Sequence, residues 1–248
     1  MNSEDNIDDA KNIKFQNRGV KEIVNSLLQT PFGIHQIVVY PKKYEVLQEA
    51  YFYYIKKLLE DYNEIVIFLT HYESAESVKN VLTSFFNNNK NQNDIDNSKD
   101  KKKENKQQSI DVDNYIKNGS LVIIDSDKAF SNGEGREEEK ATKIINNNNQ
   151  IDNNNNNNFT SLVRMSVSHA KKLKKEGITI LADYRFVYIE KGFEGLVDLE
   201  KSIPYTLDNI NIKQICLYNQ NDFFHKFTKQ QKKEILDLHS RSIIMMDS

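Results

Sequence analysis

Short apolar runs alternate along this chain with stretches whose apolar residues recur at helical spacing. The runs at 34–39, 64–69, 121–124, 178–182, 213–217 and 242–246 are rich in Ile, Val and Leu and hold few polar residues. Such runs suit parallel strands buried on both faces, whereas a strand with one wet face would alternate apolar and polar residues. Between them, Val20, Ile23, Val24, Leu27 and Leu28 mark a short amphipathic helix ahead of Pro31. Val46, Leu47, Ala50, Tyr51, Tyr54, Ile55, Leu58 and Leu59 mark a longer one. The same spacing predicts helices over 75–86, 162–173 and 227–238, with order at 112–116 and a helical or irregular segment over 193–207 around Pro204. Strands alternating with helices predict an α/β fold: a doubly wound, mainly parallel sheet of about six strands with helices on both faces.

Two stretches break the pattern. From about 87 to 108 and from about 131 to 158 the chain is dominated by Asn, Lys, Asp, Glu and Gln, with little that is apolar. Sequences of this kind cannot offset the entropy of ordering, so they predict solvated insertions inside connections, where added length costs little. Residues 1–18 are similarly polar and read as a disordered lead into one domain spanning 19–246. The insertions pull the mean hydropathy down to −0.69. The remainder is long and apolar enough to build a core.

Charge and cysteine content narrow the function classes. A net charge of −2 provides no basic field to recruit nucleic acid or anionic lipid. The KKLKK run at 171–175 reads as the wet face and C-terminal end of a helix, where cations suit the helix dipole. The single Cys216 excludes an intrachain disulfide and any cysteine-based zinc site. No apolar run is long enough to cross a bilayer, and the acidic opening MNSEDNIDDAKN is the opposite of a signal peptide. These features predict a cytoplasmic protein with no membrane partner and no direct contact with nucleic acid.

Standard catalytic signatures are missing. No GxxxxGK[ST] phosphate loop occurs, and the nearest stretch, GEGREEEKAT from Gly133, is acid-rich and wrongly spaced. GxGxxG after the first strand, HExxH and GxSxG are also absent. The five histidines, His35, His71, His169, His225 and His239, form no pair at metal-ligand spacing, so a zinc site would need convergence of distant residues. The expectation is therefore no metal and no cofactor. Polar residues nevertheless follow every strand: Tyr40, Lys42 and Lys43; Thr70, His71, Tyr72 and Glu73; Asp125, Ser126 and Asp127; Asp183, Tyr184 and Arg185; Tyr218, Asn219 and Asp222. In a parallel sheet these side chains would rim one crevice, where ligands of open α/β folds bind. Each of them taken alone reads equally as a helix cap or a solvated loop residue. His35, opening a buried strand, reads as a hydrogen-bonded structural histidine.

Several segments in order resemble the MEDS domain, the sensory domain of methanogen and methylotroph regulators of the DcmR type. They are GIHQIVVY from Gly33, NEIVIFLT, GSLVIIDSDKAF, ITILADYRFVY, LVDLEKSI, ICLYNQNDF and EILDLHSRSII. The resemblance covers about 19–246 outside the insertions. It implies a relative of the KaiC/RecA-like ATPases, with a P-loop NTPase-like three-layer core from which the phosphate loop has been lost. By position it points to His35, Tyr40, Asp125, Asp183, Glu200, Tyr218 and His239 as ligand-binding residues. His35 would be a hydrogen-bonding imidazole, Tyr40 and Tyr218 aromatic walls, and Asp183 and Glu200 polar anchors. The chain departs from the family pattern where Asp183–Tyr184 replaces Gly-Glu, where Asn219 replaces Asp, and in lacking tryptophan altogether.

The function these features predict is a non-catalytic sensory or signalling domain that binds a small organic ligand or a regulatory partner. Its output would pass in trans to a histidine kinase or a transcription regulator, docked on the helix around Val20 to Leu28. Two alternatives stay open. One is a divergent nucleotide hydrolase or transferase with Glu200 or Asp125 as base; the other is a ligand-free interaction scaffold.

Overall fold

A computed structural model of the chain describes residues 13–16, 19–40, 44–71, 73–93, 112–130 and 158–245. In chain order the elements are β1 (Ile13–Gln16), α1 (Val20–Leu28), β2 (His35–Tyr40), α2 (Tyr44–Glu60), β3 (Ile65–Thr70), α3 (Ala75–Asn93), α4 (Val112–Lys117), β4 (Leu121–Asp125) and α5 (Ser126–Phe130). They continue with α6 (Asn158–Leu173), β5 (Gly177–Asp183), α7 (Arg185–Ser202), β6 (Thr206–Leu207), β7 (Ile210–Asn219), a π-helical turn (Asp222–Lys226), α8 (Lys229–Leu238) and β8 (Arg241–Met245). Seven strands form one parallel sheet in the order β1-β8-β2-β7-β5-β3-β4, and the short β6 pairs antiparallel with β7. Every residue of β2, β3 and β5 is buried, as expected of strands covered on both faces.

Helices cover both faces, making three layers. On one face, Val38 and Tyr40 of β2, Val66 and Phe68 of β3 and Ile215 and Leu217 of β7 pack with buried residues of α1, α2, α3 and α4. On the other, Ile37, Val39, Ile67, Ile180, Cys216 and Tyr218 pack with residues of α5, α6, α7 and α8. Each strand thus sends alternate residues to opposite clusters, as the two-residue period of a strand requires. Local signals fix the ends of elements. Thr228 opens α8 with a capping box: its hydroxyl accepts from the Gln231 N–H at 3.2 Å, and the Gln231 side chain accepts from its N–H at 2.9 Å.

The doubly wound, mainly parallel sheet expected from the sequence is observed, and four details differ. Two short strands are added, since 13–16 pairs with β8 and 206–207 with β7. The first of these lies inside the stretch read as disordered; residues 1–12 lie outside the described residues. Helix α3 runs on to Asn93, past the expected start of the first insertion, while 94–111 and 131–157 lie outside the described residues. Helix α7 begins at Arg185, earlier than expected, and is interrupted at Gly192. Finally, the apolar side of α1 is not open for docking: Ile23, Val24 and Leu27 are buried, leaving Lys21, Glu22 and Asn25 exposed.

Candidate functional site

The helices that follow β2 and β3 pack on one face of the sheet, and those that follow β4, β5 and β7 pack on the other. Strands β2 and β7 are neighbours, with Tyr40 opposite Asn219 in register. Their chains therefore leave in opposite directions, and beside this point, at the carboxyl ends of β5 and β7, a crevice opens in the region where open α/β sheets bind ligands. Asp183, Tyr184, Arg185, Tyr188, Leu196, Leu217, Tyr218, Asn219, Asp222 and Phe227 line it, around an empty volume of about 250 Å³ that includes its open mouth.

Asp183 ends β5 and is held from both sides. Its Oδ2 accepts from the Tyr40 hydroxyl at 2.7 Å and its Oδ1 from the Arg185 N–H at 2.9 Å. Burial pushes the Asp183 carboxyl above its ordinary value, and these two hydrogen bonds oppose that shift. The Ser126 hydroxyl donates to the Asp183 carbonyl at 3.1 Å, tying the end of β4 to that of β5. Arg185 Nε lies 2.8 Å from Asp222 Oδ2, and Lys226 Nζ lies 2.7 Å from Asp222 Oδ1. A guanidinium at the first position of α7 and a carboxylate in the π-helical turn thus face each other, in a lining that also holds Tyr188 and Phe227, whose rings stand 5.0 Å apart.

The residues singled out in the sequence fall into three groups. Tyr40 and Asp183 meet at this crevice. Asp125 stands apart: its Oδ1 accepts from the Ala75 N–H at 2.6 Å, at the start of α3, and its Oδ2 pairs with Lys128 at 2.8 Å. This is the helix-end role that polar residues after strands commonly take. His35, Glu200, Tyr218 and His239 converge on the α7–α8 face instead, within the core, and of these four Tyr218 alone also lines the crevice.

There the Tyr218 hydroxyl donates to Glu200 Oε1 at 2.6 Å, and His239 Nε2 stands 3.7 Å from the same oxygen. His239 Nδ1 is 2.7 Å from the Ile235 carbonyl, and the centroid of its ring is 6.3 Å from that of His35. His35 opens β2, at the amino end of its strand, and its Nε2 is buried without the hydrogen bond expected of it. Burial, then the neighbouring His239, lowers its pKa from 6.5 to about 4. Sequence reasoning did not bring three further members to this cluster: Cys216 and Gln214, and Tyr184, which it had expected only on the rim. Gln214 Nε2 donates to Cys216 Sγ at 3.0 Å and to the Tyr184 hydroxyl at 2.9 Å. Burial pushes the Cys216 thiol and the Tyr218 hydroxyl well up, and the Glu200 charge pushes them further. The available signal was the period of β7, which puts Gln214, Cys216 and Tyr218 on one side of a strand buried on both.

No helix among the described residues is long and apolar enough to cross a membrane. No family model matches the sequence, and no curated protein matches it either. In structure the chain is similar to a KaiC-like protein, PH0186, from the hyperthermophilic archaeon Pyrococcus horikoshii OT3. The two share 13% identity over 88% of this chain and 73% of that one, with a TM-score of 0.46, too distant a likeness to carry a functional argument.

Proposed function

We propose that this chain is a non-catalytic sensory domain, of the kind the MEDS resemblance implies, which takes up a small organic ligand at the carboxyl ends of β5 and β7. The observation that carries this reading is the Arg185–Asp222 pair set among Tyr184, Tyr188, Tyr218 and Phe227 at the carboxyl ends of β5 and β7. A cation, a carboxylate and aromatic walls suit a small polar metabolite with one charged end and one apolar end. The absence of a phosphate-binding loop from the sequence argues against a whole nucleotide. The output passes in the cytoplasm to a kinase or transcription regulator in trans.

A thermal-shift series on the purified protein tests this. Small organic acids and amines that fit should raise the unfolding midpoint, with stabilisation of about 4 kcal/mol at a thousand times the dissociation constant. Mg·ATP should leave it in place, and Arg185→Ala should abolish the metabolite shift. A midpoint raised by Mg·ATP would favour a nucleotide-binding protein. A series in which no compound acts would leave the scaffold reading standing in place of this one.

A further inference from the structure

We propose that Glu200, Cys216 and His239 bind a divalent transition metal, Zn²⁺ by the chemistry of the donor set, in the core beneath the crevice. The three come from α7, from β7 and from the residue that ends α8. They offer a carboxylate oxygen, a sulfur and an imidazole nitrogen, all within 4.8 Å of one another. This is the convergence of distant residues that no spacing in the sequence displays. Two ligands of one tetrahedral zinc lie about 3.3–3.7 Å apart, given bond lengths of about 2.0–2.3 Å. An oxygen and a nitrogen ligand fall at the short end of that range, so Glu200 Oε1 and His239 Nε2, 3.7 Å apart, need to close by only about 0.3 Å to share an ion.

Unpartnered atoms point the same way. Glu200 Oε2 and His239 Nε2 are both buried with no hydrogen-bond partner, although their side chains are fully enclosed. Buried polar atoms are nearly always satisfied, so two orphans facing one cluster call for a common partner. His35 adds a third orphaned nitrogen, in the ring beside His239.

The surroundings are those of a ligand set. With Nδ1–H donating to the Ile235 carbonyl, His239 keeps the Nε2 lone pair free, the tautomer fixed as it is around metal-bound imidazoles. The Tyr218 hydroxyl orients Glu200, and Gln214 Nε2 orients the sulfur. Binding displaces the Cys216 proton to solvent. A thiolate and a carboxylate then neutralise the two positive charges of the ion, so the core buries no net charge. Mixed sulfur, nitrogen and oxygen donors favour zinc over magnesium or calcium, which prefer oxygen alone. Three protein ligands leave a fourth position, and Tyr218, which also lines the crevice, links the two sites.

The test uses an untagged chain refolded with Zn²⁺, then with Co²⁺, because a site this enclosed loads as the chain folds. About one zinc per chain surviving dialysis is expected, with a sulfur-to-cobalt charge-transfer band in the Co²⁺ form. The chain has a single cysteine, so that band reports Cys216 without any variant. Cys216→Ser should abolish the band, and Glu200→Gln and His239→Gln should each lower metal retention at least tenfold. Zinc well below one per chain, or a Co²⁺ form without the band, would overturn the assignment. Metal content is read apart from the metabolite shift, so this proposal and the crevice reading fail separately.

Discussion

The side chains that depend most on their neighbours here are charges without water. Lys213 on β7 lies 2.8 Å from Glu64, with both side chains almost wholly enclosed. The Thr179 hydroxyl donates to the other Glu64 oxygen, and Lys213 Nζ sits 4.9 Å from the centre of the Phe32 ring. Removing one partner leaves an uncompensated buried charge, so Lys213→Met should cost about 3–5 kcal/mol in urea unfolding. Lys213→Met combined with Glu64→Gln should recover much of that loss. Asp183 makes a pH-dependent contribution of the opposite kind. Its folded pKa is raised, so the folded state holds its proton more tightly than the unfolded one. Stability from this group is therefore fully present below the unfolded value of 3.8 and is lost as pH rises through the folded value. Asp183→Asn should flatten the fall in urea midpoint across that window; an unchanged slope would exclude the assignment. Both effects rest on residues whose types are plain in the sequence, but only the register of β5 and β7 brings them together. The same holds for the buried cluster. Glu200, Tyr218 and His239 were legible as candidates, whereas Cys216 was read only as excluding a disulfide and a cysteine-based zinc site, an expectation the proposed metal site sets aside, because a lone cysteine carries no pattern of its own.

Elements were legible where a buried face leaves a period and obscure where it does not. Strands β2, β3 and β5 stand out because burial on both faces demands continuous apolar runs. Strand β1 is only the short IKFQ at one edge of the sheet, and β6 is two residues long, so neither has enough length for a period to show. The last residues of α3 are polar, and Asn87 and Asn88 are exposed, so that end of the helix leaves no apolar trace. Helix α7 was half hidden for another reason. Phe186 to Ile189 is a continuous apolar run, and Gly192 and Gly195 read as breakers. Gly192 does break it, with φ 70° and ψ −170°, a conformation almost confined to glycine. A Cβ added there would meet nothing within 4 Å, so Gly192→Ala isolates the backbone cost. It should destabilise by about 1–3 kcal/mol, read as a lower urea midpoint at unchanged slope. Thr228→Ala, which removes the α8 capping box, should cost about 1 kcal/mol by the same measurement.

At the scale of the molecule, the parallel sheet was legible and the location of the buried polar cluster was not. Alternation of strands and helices fixes which residues stand at carboxyl ends, yet strand order decides which of those ends are neighbours. The crevice depends on β7 lying beside β5, with β2 between β7 and β8, its successor in sequence. Strand order also sets what the insertion at 131–157 can affect. Strand β4, which precedes it, is at the edge of the sheet, with β3 between it and β5. The chain before the insertion meets the chain after it, since the Phe130 and Phe159 rings stand 5.1 Å apart in the core. A short Gly/Ser linker can therefore join 130 to 158 without moving either helix. Doubling a loop costs only about 0.6 kcal/mol, so the shortened chain should match the full chain in urea midpoint to within about 1 kcal/mol, or exceed it slightly. Because the crevice is lined from β5, α7, β7 and the segment after β7, the metabolite shift should also survive the replacement unchanged. A shortened chain that keeps its stability but loses the shift would mean that the 131–157 segment itself takes part in holding the ligand.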